Sequence, residues 1–219
     1  MKRSVEEHAA RFDEQAADYD DAGSPEYRAC ANLVIEYANP NESDTVLDLG
    51  TGTGAIALAL AEDAECVVGR DISDEMMHVA RTKAEERGVE NVTFGYGTFR
   101  EPNWPGGAHG GESASENESE EVDIVTSNFA MHHLDDAAKR EAIETIGALE
   151  PRRFVLGDLL FFDEADSSAS FYDPAVDDPA TVGVLADALT DAGFSLTAVE
   201  RVHDLVGVLV AERPRGDEA

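Results

Sequence analysis

Residues 46–54 read Val46-Leu47-Asp48-Leu49-Gly50-Thr51-Gly52-Thr53-Gly54. A short apolar run with an acid in its last turn leads into glycines at alternate positions, and an apolar stretch from Ala55 to Glu62 follows. Such a run predicts a buried parallel strand, Thr45 to Leu49, feeding a helix. Glycine permits positive φ and removes the Cβ that would hold a ligand off the backbone. The helix start adds free N–H donors and partial positive charge. The turn therefore suits a carboxylate or a phosphate. Its spacing is Asp-x-Gly-x-Gly-x-Gly, not Gly-x-Gly-x-x-Gly, although Ala55 in the sixth position keeps a dinucleotide reading open. No Gly-Lys-Ser/Thr is present, which excludes a P-loop kinase or ATPase.

The flanking chain alternates in the same way. Cys66-Val67-Val68-Gly69 predicts a second strand, ending at Asp71, and Ser73 caps a helix to Arg87. Asn91 to Tyr96 predicts a third strand, Val122 to Thr126 a fourth and Arg152 to Leu159 a fifth. Helices are expected over Asp135 to Leu149 and from the 174–179 segment to Ala192-Gly193, where Gly193 ends the helix. Phe194 to His203 and Leu205 to Glu212 are joined too tightly for a crossover, so they form an antiparallel pair. Two lead-in helices are expected ahead of the sheet, over 5–20 and from Ser24-Pro25 to Ala38. Residues 101–121 pass into a Gly/Ser/Glu/Asn tract, read mostly as a surface insertion. The whole, 1–219, reads as one α/β domain with a parallel sheet covered on both faces. Ligands of such sheets bind beyond the carboxyl ends of the strands, where strand order reverses. The chemistry is expected just after Leu49, Arg70, Tyr96 and Thr126.

Asp71 is the second chemical signal. A carboxylate ending the second strand can accept hydrogen bonds from both hydroxyls of a ribose. Ile72 and Met76 are placed to cover an adenine face. The plainer role for Asp71, capping the next helix, falls better to Ser73.

Composition sets the outer limits. Apolar residues are 42% of the 219, enough for a core, yet no stretch nears the roughly 18 apolar residues that span a bilayer. Met1 to His8 holds a basic pair with no apolar run behind it, so no secretory signal is expected and the protein is placed in the cytoplasm. Cys30 and Cys66 are read as reduced thiols, and no Cys/His cluster with metal-ligand spacing is evident. The formal net charge is −31, from 47 acidic and 16 basic residues. Self-repulsion on that scale strains a compact chain, but at molar salt the Debye length falls to about 3 Å. The balance predicts adaptation to a hypersaline cytosol. Acidity speaks against a nucleic-acid partner, but as a general surface adaptation it says less about the partner and leaves nucleic acid open.

The segments together resemble the class I S-adenosylmethionine-dependent methyltransferases across nearly the whole chain. They are most similar to the small Bacillus-type members of unassigned substrate. The likeness rests on Phe12-Asp13-Glu14-Gln15-Ala16-Ala17-Asp18-Tyr19-Asp20, on Glu26-Tyr27-Arg28, on the glycine turn, on Ser127-Asn128-Phe129-Ala130-Met131-His132-His133-Leu134 and on the closing hairpin. It implies a Rossmann-like fold: a mostly parallel seven-stranded sheet, helices on both faces and an antiparallel C-terminal hairpin. It implies S-adenosylmethionine as cofactor. Gly50 and Gly52 would line its methionine moiety, with Thr51 and Gly54 in the same turn. Asp48 would orient the turn and meet the amino group through water, and Asp71 would hold the ribose. Many relatives carry an Asp that meets the adenine amino group two residues after the third strand; here Gly97-Thr98-Phe99 stands there, so Thr98 replaces it beside Phe99. Asn128 would lie at the methyl end and Tyr19 would close over the cofactor.

Methyl transfer is an in-line displacement that needs alignment and exclusion of water, and a base only where the nucleophile must lose a proton. His132 and His133 are the histidines expected near the reacting atoms. Asn/Asp-Pro-Pro-Tyr is absent after the fourth strand, as is a cysteine, which disfavours amino and cytosine C5 methylation of bases. A small-molecule acceptor is therefore expected. The alternatives are an RNA or protein methyltransferase of the same fold and a non-catalytic binder of the same cofactor. A nicotinamide dehydrogenase would need a Tyr-x-x-x-Lys or His/Asp set that is not visible.

Overall fold

The computed structural model describes residues 4–21, 23–104, 121–163 and 173–213. The strands are β1 Thr45–Leu49, β2 Cys66–Asp71, β3 Val92–Tyr96, β4 Ile124–Asn128, β5 Arg153–Phe161, β6 Ala180–Thr181, β7 Ser195–His203 and β8 Val206–Glu212. The helices are α1 Val5–Gln15, α2 Pro25–Ala38, α3 Ala55–Leu60, α4 Asp74–Arg87, α5 Asp136–Ala148 and α6 Val182–Asp191. The sheet runs β3-β2-β1-β4-β5-β8-β7. Pairing is parallel from β3 through β5 and antiparallel where β8 meets β5 and β7. The seven-strand path and the hairpin are those expected. An eighth strand, β6, adds two residues parallel to β5; so short a strand carries no periodic signal.

Side chains of adjacent strand residues alternate between two apolar layers. Leu47, Val125 and Phe154 pack with Ile143 and Ile146 of α5 and Leu185 and Leu189 of α6. Val46, Ile124 and Val155 pack on the other face with Cys30 and Val34 of α2 and Ile56 and Leu60 of α3. This is why β1 and β4 are buried along their whole length: each of their faces meets a helix layer.

Local boundaries follow the sequence signals closely. Ser24 accepts from Tyr27 N ahead of Pro25, Ser73 from Met76 N, and Asp135 from Ala138 N. Four expectations are corrected. The first lead-in helix stops at Gln15 and continues as a 3₁₀ turn, Ala16–Asp18, rather than running to residue 20. The helix after the glycine turn ends at Leu60, and β5 extends to Phe161. The start of the presumed insertion belongs to the core: Trp104 is 3% exposed and part of the apolar layer that includes Leu47 and Val125. The acidic and glycine-rich remainder, 105–120, lies outside the described residues, as do 164–172.

Candidate active site

Strand order reverses between β1 and β4, and a cavity of about 740 Å³ opens at the carboxyl ends of β1 to β4. Its size falls in the range of small-molecule sites. Gly50, Thr51, Gly52, Asp71, Ile72, Met76, Thr98, Phe99, Asn128, Tyr19 and His133 all line it. Asp48, Gly54 and His132 do not, although all had been expected at the site.

The glycine turn is held by β2: Gly50 N and Thr51 N both donate to Arg70 O, at 2.8 and 3.0 Å. All its glycines have positive φ, and each does a different job. A Cβ on Gly50 would lie 2.4 Å from Ala130 Cβ, so Gly50 permits the close approach of the chain after β4. A Cβ on Gly54 would lie 3.0 Å from Ala80 Cβ and from the Phe94 ring, so Gly54 serves helix packing. A Cβ on Gly52 would meet nothing within 4 Å. Gly52 therefore leaves open space over bare backbone on the cavity wall, where a ligand can approach. With α3 only six residues long, the turn's own N–H groups matter more here than any helix dipole.

Asp71 closes the other side of the turn. Its Oδ2 accepts from Gly52 N at 2.8 Å and its Oδ1 from Ser73 N at 2.9 Å. Each oxygen keeps a lone pair, since a carboxylate offers about four acceptor sites. Burial raises its pKa above the ordinary carboxylate value, against the lowering by those backbone donors. Asp48 lies behind the turn, 1% exposed, and accepts from Thr126 Oγ1 at 2.8 Å. Burial pushes its carboxyl up to about 6, Asp71 adding to the effect while Thr51 and Thr126 oppose it. Thr98 accepts from Glu101 N at 3.0 Å, which leaves its hydroxyl proton to donate. Arg70 explains the neighbouring glycines: it donates to Gly69 O and Asn103 O, and a Cβ on Gly95 or Gly97 would lie 3.1 Å from its side chain. It braces the turn after β3.

The N-terminal elements form the opposite wall. Val5, His8, Phe12, Tyr19 and Tyr27 line the cavity, where His8 and Phe12 pack against His133 and Tyr27 against Phe129. Rings follow one another from His8 and Phe12 against His133, through Tyr19 and Tyr27, to Phe129 and His132. Acids of this lead-in dock it: Asp13 accepts from Ser73 Oγ at 2.6 Å, and Asp20 takes Thr53 Oγ1 and pairs with Lys83. Burial raises the Tyr19 phenol to about 12, with Asp71 adding. Sequence reading had found Tyr19 and the Asn128 to Ala130 turn that carries Phe129, and missed His8, Phe12 and Tyr27, whose spacing resembles ordinary core packing.

His132 and His133 lie on a 3₁₀ turn, Met131–His133. His132 turns away from the cavity: Asp158 Oδ2 accepts its backbone N at 3.0 Å and Asp158 Oδ1 bonds its Nδ1. His133 faces the cavity, and its Nδ1 lies 3.3 Å from Asp177 Oδ1. Burial lowers its pKa to about 4, His132 and His8 adding to the shift and Asp177 opposing it. Asp158 and Asp177 were not foreseen; both come from distant parts of the chain.

Residues 46–149 match the family described as "Methyltransferase domain". An uncharacterized methyltransferase of Bacillus subtilis (strain 168), YcgJ, is 33% identical over 128 residues, 58% of this chain and 45% of that protein. The chain thus matches less than half of that relative's length. An uncharacterized methyltransferase of Geobacillus thermodenitrificans (strain NG80-2) is 28% identical over 213 residues, 90% of this chain and 89% of that one. Among solved structures, the DhpI–SAH complex superposes with a TM-score of 0.67 at 20% identity, covering 96% of this chain and 98% of that one; at that identity the likeness is one of fold. With its strand order and its glycine turn beside an acidic strand end, the chain has the fold of these methyltransferases and, over residues 46–149, is similar to the methyltransferase domain family.

Proposed function

We propose that the protein transfers the methyl group of S-adenosylmethionine to a small molecule. One observation carries this reading: the bare backbone at Gly52, the buried Asp71 carboxylate and the aromatic lead-in wall all open into one cavity. The residues fit the cofactor. Gly50, Thr51 and Gly52 would line its amino-acid end, with Asp48 behind them favouring the ammonium. Asp71 would take both ribose hydroxyls, Ile72 and Met76 the adenine faces, and Thr98 beside Phe99 its edge. Bound there, the cofactor supplies an electrophilic methyl carbon on a sulfonium. The chain's part is alignment and dryness: Phe12, Tyr19, Tyr27 and Phe129 exclude water at the Asn128 end. Of the two histidines expected as a base, only His133 meets the cavity, so an acceptor proton leaves through His133 or a group it holds.

A small acceptor is supported by the enclosed volume and by the net charge of −31, which opposes a nucleic-acid backbone. No helix among the described residues is long and apolar enough to cross a membrane. The charge, with Cys30 and Cys66 both reduced thiols, supports a salt-rich cytoplasm as its setting.

The test is calorimetric titration of the full chain with S-adenosylmethionine and S-adenosylhomocysteine at molar salt. It is followed by tritiated methyl transfer into a cell extract fractionated by size. Binding of both compounds and label in the small-molecule fraction are expected. No binding would remove the reading; label confined to RNA or protein would move the acceptor to a macromolecule.

A further inference from the structure

Behind the acceptor wall, one ligand atom each from His132, His133 and Asp177 lies within 4.8 Å of the other two. Asp177 Oδ1 is 3.3 Å from His133 Nδ1 and 3.7 Å from His132 Nε2. The side chains are 6%, 13% and 13% exposed, so this is not a solvated acidic patch.

The hydrogen bonds around the cluster fix which atoms carry protons. Asp158 accepts from Leu159 N at 2.8 Å, from His132 N at 3.0 Å and from His132 Nδ1. Three N–H donors on one carboxylate mark it as an ionised acceptor, so the His132 proton sits on Nδ1. His132 Nε2 then presents a lone pair to Asp177 Oδ1. Asp177 is held in turn, its Oδ2 accepting from Asp173 N at 2.9 Å. His133 Nδ1 is buried, and its nearest charged partner is Asp177 Oδ1. Two imidazole nitrogens and a carboxylate oxygen thus converge beside a second buried carboxylate. Burying charge without a counter-charge is costly.

We propose that His132 Nε2, His133 Nδ1 and Asp177 Oδ1 bind a divalent transition ion of the zinc class. Two imidazoles and a carboxylate with a further position open are a catalytic-type zinc set. Asp158 is its outer support: a carboxylate on the far nitrogen of a metal-bound histidine fixes the tautomer and raises ligand basicity. Ideal Zn–N and Zn–O distances of about 2.0–2.2 Å require a modest contraction of the present spacings, within reach of rotation about the side-chain torsions. The segment carrying Asp177 is already pinned, with Asp178 N on His132 O and Lys139 Nζ bridging Leu134 O and Asp178 O. Of the three ligands only His133 lines the cavity, so the ion would sit behind the cavity wall and hold that imidazole from the rear. His133 would then act as a ligand, not a base.

The experiment uses the full chain, chelator-treated, in molar salt without cofactor, titrated with Co²⁺ and then Zn²⁺. One equivalent of Co²⁺ is expected to give the intense visible bands of a four- or five-coordinate site, and Zn²⁺ to abolish them. The acidic surface binds ions through water and carboxylates as six-coordinate species with weak bands, so it does not mimic this result. His133→Gln should eliminate the bands, and Asp158→Asn, with all ligands kept, should weaken binding about 10- to 100-fold. Should the variants not fold, proton NMR of the wild-type Co²⁺ form decides: two hyperfine-shifted exchangeable imidazole protons are expected. A spectrum that stays six-coordinate at every ratio overturns the proposal, as do intense bands surviving in a folded His133→Gln or an absence of shifted imidazole protons. Neither cofactor nor acceptor is present, so a negative result leaves the methyltransferase reading standing.

Discussion

Gly50 and Gly52 share a positive φ but differ in what surrounds them, and substitution should separate fold from binding. Gly50→Ala drives a methyl to 2.4 Å from Ala130 Cβ and should lower the melting temperature strongly. Gly52→Ala meets no neighbour and bears only the left-handed backbone cost, about 1–2 kcal/mol. It should fold, yet lose cofactor affinity, because its methyl fills the cradle. Thermal unfolding and calorimetry on both variants check this; a Gly52→Ala that binds normally would show that the ligand lies elsewhere. Asp71→Ala removes a charged acceptor from two hydroxyls, worth about 1.5–3 kcal/mol, so S-adenosylhomocysteine should bind about 10- to 100-fold more weakly.

Asp48 carries a pH signature of its own. Its folded pKa is raised to about 6 from an ordinary 3.8. The fold therefore favours the protonated acid: that contribution is full below the ordinary value and is lost as pH rises through about 6. Asp48→Asn lacks the titration. Its stability relative to wild type should climb between about pH 4 and pH 6 and then level off, as read by unfolding curves across that window. A constant difference would mean that Asp48 is not strained by burial.

At the scale of elements, the N-terminal lead-in contrasts with the sheet. α1 rests on α4 through few anchors, chiefly Asp13 on Ser73 and Glu75, whereas β1 and β4 are buried on both faces. Elements with few buried contacts open locally at low free energy. Hydrogen exchange should therefore be fast in Val5–Gln15 and slow in β1 and β4, and S-adenosylhomocysteine should slow α1 selectively through Phe12 and Tyr19. Uniform protection without ligand would contradict a closing role for the lead-in.

The same contrast explains what the sequence disclosed. β1 to β5, α4, α5 and the terminal hairpin were legible because apolar runs, caps such as Ser73 and Asp135, and the tight joint at Asp204 are local signals. β6 was not, since two residues paired to a distant strand have no period. Gly50, Gly52 and Asp71 were legible from a motif whose parts share one turn. Asp158 and Asp177 were hidden because their meaning lies in His132 and His133, which only the fold brings near. The aromatic wall was hidden for another reason: Phe12 and Tyr27 follow the helical spacing of core residues, and only tertiary packing shows that they face a void.

For the molecule as a whole, a charge of −31 dominates behaviour in solution. Repulsion among 47 carboxylates is screened once the Debye length shrinks to about 3 Å near 1 M salt. The melting temperature should rise steadily from low to molar potassium chloride, and a flat profile would show that the acids are already balanced by the fold. The central claim concerns one cavity gripping two ends of one compound, and a crystal structure grown with S-adenosylhomocysteine addresses it most directly. The account predicts ribose hydroxyls on both Asp71 oxygens and the amino-acid end over bare backbone at Gly52. An empty cavity, or a ligand whose ribose lies away from Asp71, would contradict it.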